Sequence, residues 1–389
     1  MHYYIEKKNN ISDLIYTVLG DEFAVGEHFE APDAYLVRSA DLHGDALPES
    51  LLAIGRAGAG VNNIPIERCN EKGIIVFNTP GANANAVKEL VLAGMLLAGR
   101  KIISGIDWCK SLQGGGEAVT ETVEEGKKQF TGPELAGKTL GVIGLGAIGV
   151  QVANAAHYGL SMNVLGYDPY ISVDAAWGLS RSVRHAASLD QIYAECDYIT
   201  LHLPLNAGTK SMIGAVQLEK FKEGAVLLNF ARGGLVDTKA VVAALEEGRL
   251  RRYVTDFPED ALLCCKGVIA MPHLGASTPE SEENCAVMAA TELKNYLLYG
   301  NVRNAINLPN CELPKNGNFR ITLFHHNIPN MVGQITAILA ADNINIEHMV
   351  NNSRGEYAYT IIDIEPPVGE EGLEKLRAIK GMVRVRVIG

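Results

Sequence analysis

The chain has 389 residues, of which 45 are acidic and 34 are basic, so its formal net charge is −11. This acidic balance opposes sequence-independent binding to nucleic acid, which needs a surplus of Lys and Arg facing the phosphates. It leaves anionic metabolites open as ligands, because a few local arginines suffice to bind them. The length exceeds one ordinary hydrophobic core, so we expect two or three domains.

Targeting and membrane signals are weak. No N-terminal stretch combines basic residues with an apolar core, and the longest apolar run, around Leu90 to Ala98, is too short to span a membrane. Seven cysteines without a CxxC pair favour free thiols in a reducing compartment, and we interpret the adjacent Cys264 and Cys265 in the same way. We therefore expect a cytoplasmic protein with no membrane, nucleic-acid or metal partner.

The first hundred residues alternate short apolar runs with glycine-rich or charged connections, which is typical of an open, mostly parallel βα sheet. The runs are Tyr35 to Val37, Leu51 to Ile54 and Ile74 to Phe77. The composition then predicts a buried helix over Ala86 to Lys101 and an exposed excursion over Gln113 to Gln129. A second βα series runs from Lys138 to Ser277, and a further helix is predicted over Thr278 to Tyr299.

The C-terminal part has a different order of predicted elements. Residues 300–318 are rich in proline, glycine and asparagine, a composition typical of a linker. The order strand, helix, strand, strand, helix, strand follows, which indicates a ferredoxin-like sandwich. Its predicted segments are Phe319 to Phe324, Pro329 to Ala341, Ile344 to Asn351, Ala358 to Ile364, Glu370 to Ile379 and Val383 to Ile388.

The sequence Gly144-Leu145-Gly146-Ala147-Ile148-Gly149 is a candidate dinucleotide-binding turn. A GxGxxG alone is weak evidence, but here a buried strand over Thr139 to Ile143 leads into it and a helix over Ala147 to Tyr158 leaves it. The three glycines allow a tight turn, close approach of a pyrophosphate, and close packing of helix on strand. The alternative is a glycine turn that packs a helix and binds nothing.

Asp168 strengthens the nucleotide interpretation. It ends the next predicted strand, Asn163 to Tyr167, about 20 residues after the glycines. A carboxylate there accepts hydrogen bonds from the ribose hydroxyls and repels a 2′-phosphate, which favours NAD over NADP as the cofactor.

Three further segments follow predicted strands of the second series and contain Arg232, Asp256 with Glu259, and His273. Ligands of open α/β sheets bind beyond the carboxyl ends of the strands, so these side chains are candidates for one site. Oxidation of a hydroxy acid needs a base for the hydroxyl proton, which histidine suits, and a bidentate cation for the carboxylate, which arginine suits. An acid beside the histidine would hold its tautomer.

With these residues in view, the chain resembles the D-2-hydroxyacid dehydrogenase family over essentially its whole length. The motifs that carry the resemblance are Val37-Arg38-Ser39, Arg56 to Asn63, Asn78 to Asn83, Gly144 to Gly149, Tyr167 to Tyr170, Ala231 to Gly234 and Pro272 to Ser277. The resemblance implies two Rossmann-like doubly wound α/β domains, followed here by the ferredoxin-like domain. It implies a substrate-binding domain over 1–97 and 281–305, an NAD-binding domain over 98–280, a linker over 306–318 and a regulatory domain over 319–389.

The resemblance also implies roles for single residues. Arg232 would bind the substrate carboxylate, His273 would be the acid–base residue, and Asp256 would contact the nicotinamide amide. The other cofactor-binding residues would be Gly144, Gly146, Ala147, Ile148, Gly149, Asp168, Leu205, Thr209, Ala231 and Gly275. The family's catalytic glutamate has no direct counterpart, since Ala261 occupies its position. We assign that role to Glu259, with Asp260 as the alternative.

The resemblance implies that the substrate is a phosphorylated 2-hydroxy acid, 3-phospho-D-glycerate, oxidised as the first step of phosphorylated serine synthesis. Arg38-Ser39 follows an apolar strand and Arg56 precedes a glycine turn, so both lie where a phosphate can be received, and Asn83 can donate to it. The alternative for the arginines is that they only solvate loops. Two other functions stay open: a hydroxypyruvate or glyoxylate reductase, and an NAD-sensing protein without turnover.

The segment His325 to Gly333 resembles the first loop of an ACT domain, a module that senses small molecules. Asn330 stands where a glycine is usual, and Asn tolerates the left-handed conformation. The resemblance implies L-serine as effector, bound by His325, Asn327 and Asn345 across a subunit interface. The alternative is a dimerisation module without a ligand. The edge strands of such a sandwich pair readily, so we expect a homo-oligomer.

Overall fold

The computed structural model describes residues 2–315 and 319–389. Its contacts divide the chain into two compact units. Unit 1 comprises Met1–Ala82 and Glu282–Gly389, and unit 2 comprises Asn83–Ser281. Within the described ranges, no helix combines the length and the apolar character needed to cross a membrane.

Unit 1 begins with a five-stranded parallel sheet. Its elements are β1 (Tyr3–Lys7), β2 (Phe23–Gly26), β3 (Ala34–Val37), β4 (Ala53–Arg56), α1 (Ile66–Glu71) and β5 (Ile75–Asn78), with the strand order β2-β1-β3-β4-β5. The order reverses between β1 and β3, which is where open α/β sheets bind ligands. Charged residues interrupt β1, so the apolar pattern of the sequence does not predict this strand. In the fold Tyr3 and Ile5 are buried, and the buried Glu6 pairs with Lys8 at 2.5 Å.

Unit 2 contains a seven-stranded parallel sheet in the order β12-β11-β10-β9-β6-β7-β8. The order reverses between β6 and β9, which is the dinucleotide-binding topology. The elements are α2 (Ala84–Gly99), α3 (Ile102–Ser111), α4 (Val119–Gly126), β6 (Thr139–Ile143), α5 (Ala147–Leu160), β7 (Asn163–Tyr167), α6 (Val173–Gly178), β8 (Arg184–His185), α7 (Leu189–Glu195), β9 (Tyr198–Leu201), α8 (Ala215–Leu218), β10 (Ala225–Asn229), α9 (Thr238–Glu246), β11 (Leu250–Thr255), α10 (Asp260–Leu263) and β12 (Val268–Ala270).

The helix α2 lies with unit 2, whereas the sequence-based division assigned residues up to 97 to the first domain. It packs against α5, β10 and β11. The contact is close, since a Cβ at Gly94 would lie 3.0 Å from the ring of Phe230. The apolar face of α2 is therefore buried by the second sheet. The predicted excursion is exposed, and it contains the helix α4.

The helix α11 (Pro279–Tyr299) leads back to unit 1 and its C-terminal sheet. That sheet is antiparallel in the order β14-β15-β13-β16, and its elements are β13 (Phe319–His326), α12 (Met331–Ala341), β14 (Asn345–Arg354), β15 (Tyr357–Glu365), α13 (Glu370–Arg377) and β16 (Met382–Ile388). The predicted ferredoxin-like order is confirmed. The helices α12 and α13 pack on one face of this sheet. On the other face, Phe324, Tyr359 and Ile361 belong to the hydrophobic core that α11 and the first sheet form.

The predicted linker differs from the fold over residues 306–311. Ile306 donates its N–H to the Val76 carbonyl at 2.8 Å, and the Asn307 side chain accepts from the Val76 N–H at 2.9 Å. Leu308 and Cys311 are fully buried. These residues pack along β5, since the asparagine supplies hydrogen bonds to the edge strand rather than flexibility. Residues 316–318 of the predicted linker lie outside the described residues.

A buried ion pair joins the C-terminal sheet to α11. Arg320 and Asp363 are both fully buried and form two hydrogen bonds, at 2.6 and 2.9 Å. The guanidinium also donates to the carbonyls of Tyr299, Leu313 and Pro314 at 2.7–3.0 Å. Every face of this cation is thus occupied, and removing it strands a buried carboxylate.

We predict that Arg320→Met lowers the free energy of unfolding by about 3–5 kcal/mol, because Asp363 and three carbonyls lose their partner inside the core. Urea denaturation measures the change. The control is Lys220→Met, which removes the exposed pair with Asp190 and should cost less than about 1 kcal/mol. Equal changes in the two variants would contradict the role given to Arg320.

Candidate functional site

The glycine turn after β6 has the geometry that its sequence predicts. Gly144 has a φ of +93°, and a Cβ there would lie 2.5 Å from the His202 carbonyl oxygen. A Cβ at Gly149 would lie 1.9 Å from the carbonyl oxygen of Gly144. Both positions therefore require glycine for chain packing. Apart from the chain adjoining Gly146, no described residue has an atom within 4 Å of a Cβ built there, so packing does not require that glycine.

The open space at Gly146 faces the N-terminus of α5. Among the residues that the structure describes, no side chain caps that helix, so its first N–H groups stay available to an anion. Asp168, at the end of β7, accepts the Leu145 N–H on Oδ2 at 2.8 Å and the Tyr170 N–H on Oδ1 at 2.9 Å. The turn, the uncapped helix and the carboxylate fit a dinucleotide with its pyrophosphate on α5 and its ribose at Asp168.

Arg232 is held by its neighbour Asn229. The fully buried Asn229 accepts the N–H groups of Ala231 and Arg232 at 3.2 and 3.4 Å, and it donates to the Arg232 carbonyl at 2.9 Å. The Arg232 side chain is exposed at the carboxyl end of β10 and donates to the Ala231 carbonyl at 2.6 Å. The backbone of this loop is fixed, while the guanidinium extends from it.

Asp256 follows β11 and is fully buried. Its Oδ2 accepts the Gly275 N–H at 3.1 Å, whereas its Oδ1 has no hydrogen-bond partner in the described part of the chain. Burial raises the pKa of this carboxyl above its usual range, opposed by the Gly275 hydrogen bond and by nearby His273. A buried acceptor without a partner is suited to a ligand donor such as an amide.

His273 follows β12, with an exposed side chain whose ring lies 4.7 Å from that of Phe257. Glu259 lies at the N-cap position of α10, and its Oε2 accepts the Thr238 hydroxyl at 2.8 Å. Considering residues 2–315 and 319–389, the structure gives His273 no hydrogen bond or ion pair with a carboxylate. Strand ends bring His273 and Arg232 to the same edge of the sheet. The pairing of His273 with Glu259 or Asp260 stays a prediction.

The loop after β9 contains Leu205 and Thr209. The Thr209 hydroxyl donates to the Pro204 carbonyl at 2.6 Å, a hydrogen bond within the loop. Leu205 packs against Gly234, where an added Cβ would lie 3.1 Å from the leucine side chain. His202, at the start of this loop, has its pKa lowered to about 3 by burial and is therefore neutral at pH 7.

The candidate phosphate residues lie in unit 1, apart from Asn83. Arg38 follows β3 and forms an ion pair with Glu282 at 2.5 Å. Ser39 is exposed beside it, and the Arg56 guanidinium lies over Gly58, where a Cβ would meet its Nη1 at 1.5 Å. Asn83 is the N-cap residue of α2, and its side chain makes no capping bond. Glu282, which the sequence analysis missed, competes with any anion for Arg38.

The predicted effector residues do not meet within one chain. His325 is 2% exposed, and its ring nitrogens lie 2.9 Å from the His326 carbonyl and 2.8 Å from the Thr360 hydroxyl. Burial lowers its pKa. His325 pairs through β15 with Ser353, at the far end of β14 from Asn345. Asn327 is exposed and donates to the Gly355 carbonyl at 3.3 Å. Their role in effector binding stays a prediction.

The chain is similar in sequence and in fold to known proteins. Residues 92–275 match the D-isomer specific 2-hydroxyacid dehydrogenase, NAD binding domain. The chain is 38% identical over 322 residues to a D-3-phosphoglycerate dehydrogenase of Methanocaldococcus jannaschii, covering 81% of this chain and 58% of that protein. It is 32% identical over 359 residues to the enzyme of that name from Haemophilus influenzae. This match covers 88% of this chain and 82% of that protein. The solved NAD⁺-bound 3-phosphoglycerate dehydrogenase of Entamoeba histolytica is similar at 26% identity and a TM-score of 0.59, over 79% of this chain and 99% of that one.

The chain belongs to the family of D-isomer specific 2-hydroxyacid dehydrogenases. NAD is its cofactor, in agreement with the turn, the uncapped helix and Asp168. The chain spans little more than half the length of the Methanocaldococcus relative.

We predict that Gly146→Ala folds normally but weakens NAD binding by roughly tenfold or more, because its methyl group occupies the space for the pyrophosphate. Calorimetric titration with NAD and thermal melting measure both effects. The control Gly159→Ala lies in α5 with no atom within 4 Å of its Cβ and should leave affinity unchanged. Gly149→Ala should instead lower the melting temperature. Wild-type affinity in Gly146→Ala would contradict this placement of the pyrophosphate.

Proposed function

We propose that the protein oxidises 3-phospho-D-glycerate to 3-phosphooxypyruvate with NAD, the first step of phosphorylated L-serine synthesis. The observation that carries the proposal is the shared sheet edge in unit 2. Arg232 and His273 follow β10 and β12 of the sheet whose β6 end carries the glycine turn. The relatives named above support the substrate.

The residues of unit 2 have separate tasks in this proposal. Arg232 binds the substrate carboxylate, since a guanidinium matches two oxygens at once. His273 takes the hydroxyl proton as general base. A bound NAD would supply the acceptor for the hydride of the carbinol carbon. Asp256 would hold the carboxamide of the cofactor, because its buried Oδ1 is an acceptor without a partner among the described residues. Glu259 or Asp260 orients His273.

The phosphate is assigned to Arg38, Ser39 and Arg56, with Asn83 as a further donor. A phosphate replaces Glu282 on Arg38, because a dianion with three acceptor oxygens binds a guanidinium more strongly than one exposed carboxylate does. This exchange favours phosphorylated substrates, since an uncharged hydroxyl does not compete with Glu282.

The C-terminal sheet is proposed to be an ACT regulatory domain with L-serine as effector, in a cytoplasmic homo-oligomer. The βαββαβ order supports the domain, and the exposed edge strand β14 supports oligomerisation. The separation of His325 and Asn345 within one chain fits an effector site built from two copies.

The activity is tested by initial rates with NAD and 3-phospho-D-glycerate, D-glycerate or D-lactate, and with NADH and glyoxylate or hydroxypyruvate. We expect the highest kcat/KM for 3-phospho-D-glycerate, and a loss of roughly a hundredfold or more in kcat for His273→Gln, because general-base help is removed. A preference for glyoxylate or hydroxypyruvate would show a reductase. Absence of turnover on all five would show an NAD-binding protein without this activity.

For the phosphate, we predict that Arg38→Ala lowers kcat/KM for 3-phospho-D-glycerate by roughly tenfold or more, through loss of a charge-assisted hydrogen bond. The value for D-glycerate should change by less than about threefold. Glu282→Gln is the matched variant. It keeps Arg38 and removes its competitor, so KM for the phosphorylated substrate should fall. Equal losses on both substrates in Arg38→Ala would remove Arg38 from phosphate recognition.

A further inference from the structure

The turn that carries Arg38 and Ser39 converges on one side-chain atom. The N–H groups of Arg38, Ser39 and Ala40 all donate to Oδ1 of Asn9, at 2.9, 3.1 and 3.0 Å. Asn9 lies just beyond the end of β1, and the turn lies just beyond the end of β3. Three successive donors are thus satisfied by a single acceptor.

Asn63 holds the same turn from its carbonyl side. Its Nδ2 donates to the carbonyl of Ala40 at 2.7 Å and to that of Arg38 at 3.4 Å. The Asn63 carbonyl in turn accepts the Leu42 N–H at 2.9 Å. With Asn9 on the N–H side and Asn63 on the carbonyl side, the backbone of residues 38–40 is fixed in one orientation.

Asn9, Asn63 and the turn that they hold, residues 38–40, form a clamp. This clamp lies at the point where the first sheet reverses its strand order, between β1 and β3. Ligands of open parallel sheets bind at such switch points, beyond the carboxyl ends of the strands. The fixed turn therefore presents Arg38 and Ser39 at the position in this sheet where a ligand is expected. Long side chains lose less entropy on binding when their backbone is already held.

The chemical identity of Asn9 matters as well as its shape. Three converging N–H groups are a common receptor for an anion, and an aspartate would satisfy them at least as well as an amide does. An aspartate, however, would place a full negative charge beside Arg38 and repel a phosphate dianion. The neutral amide oxygen satisfies the donors without adding a second negative charge to that of Glu282, so less negative charge opposes a phosphate at Arg38.

We propose that Asn9 and Asn63 are positioning residues that hold the Arg38–Ala40 turn for the substrate phosphate, and that the neutrality of Asn9 is required for binding it. This inference rests on the proposed function, because it acts through Arg38 and Ser39. It assigns phosphate selectivity to two asparagines of unit 1.

The test compares Asn9→Asp, Asn63→Ala and Asn62→Asp in the full chain, with kcat and KM measured for 3-phospho-D-glycerate and for D-glycerate. Asn9→Asp keeps the acceptor oxygen, so its melting temperature should stay near that of the wild type. Its KM for the phosphorylated substrate should rise about tenfold, with kcat and the D-glycerate values changed less than about threefold. Asn63→Ala removes both donors and should raise the same KM by about tenfold.

Asn62→Asp is the control, since it adds the same charge on an exposed neighbour and should leave the ratio of kcat/KM for the two substrates unchanged. If Asn9→Asp fails to fold, Asn63→Ala decides the matter by the same ratio. Wild-type turnover of 3-phospho-D-glycerate with an unchanged ratio in the variants would overturn the inference alone. A wild-type protein without that turnover would overturn the proposed function, and this inference with it.

Discussion

Backbone N–H groups at the carboxyl ends of parallel strands lose their sheet partners, and this chain satisfies them with short Asp and Asn side chains. The same arrangement recurs in both parallel sheets. The accepting residue and its donors are Asp168 with Leu145, Asn229 with Ala231 and Arg232, Asp256 with Gly275, and Asn9 with Arg38, Ser39 and Ala40. The loops that carry the candidate chemistry are therefore ordered by the protein itself, before any ligand binds.

Because side chains hold these strand ends, the site residues have a fixed backbone and a side chain that extends from it. The backbones around Arg38 and Arg232 are held, while their guanidinium groups reach outward and bond to weak partners, Glu282 and a neighbouring carbonyl. Exchange of such a partner for a ligand oxygen costs little free energy. The glycine turn also has fixed and open parts. Gly144 and Gly149 are required for close packing of the chain, whereas of these three glycines only Gly146 leaves space for a ligand.

Regular, local features of this fold were predictable from sequence. The bounds of β6 and β7 match the prediction, because a glycine turn and an acid mark their ends. The strand β1 was missed, since its charged Glu6 becomes buried only through pairing with Lys8. The linker prediction differed because composition does not reveal that Asn307 bonds to β5. The clamp of Asn9 was beyond sequence reasoning, because it joins residues about 30 positions apart through the strand register. The sequence also left open which carboxylate pairs with His273. In the fold, Glu259 accepts a hydrogen bond from the Thr238 hydroxyl.

We propose that this family member selects a phosphorylated 2-hydroxy acid and oxidises it with NAD. The most direct measurement is an internal competition, with NAD and equal concentrations of 3-phospho-D-glycerate and D-glycerate in one solution and both products followed by NMR. The account predicts that 3-phosphooxypyruvate forms in large excess while D-glycerate remains. Equal consumption of the two acids, or consumption of D-glycerate first, would contradict it.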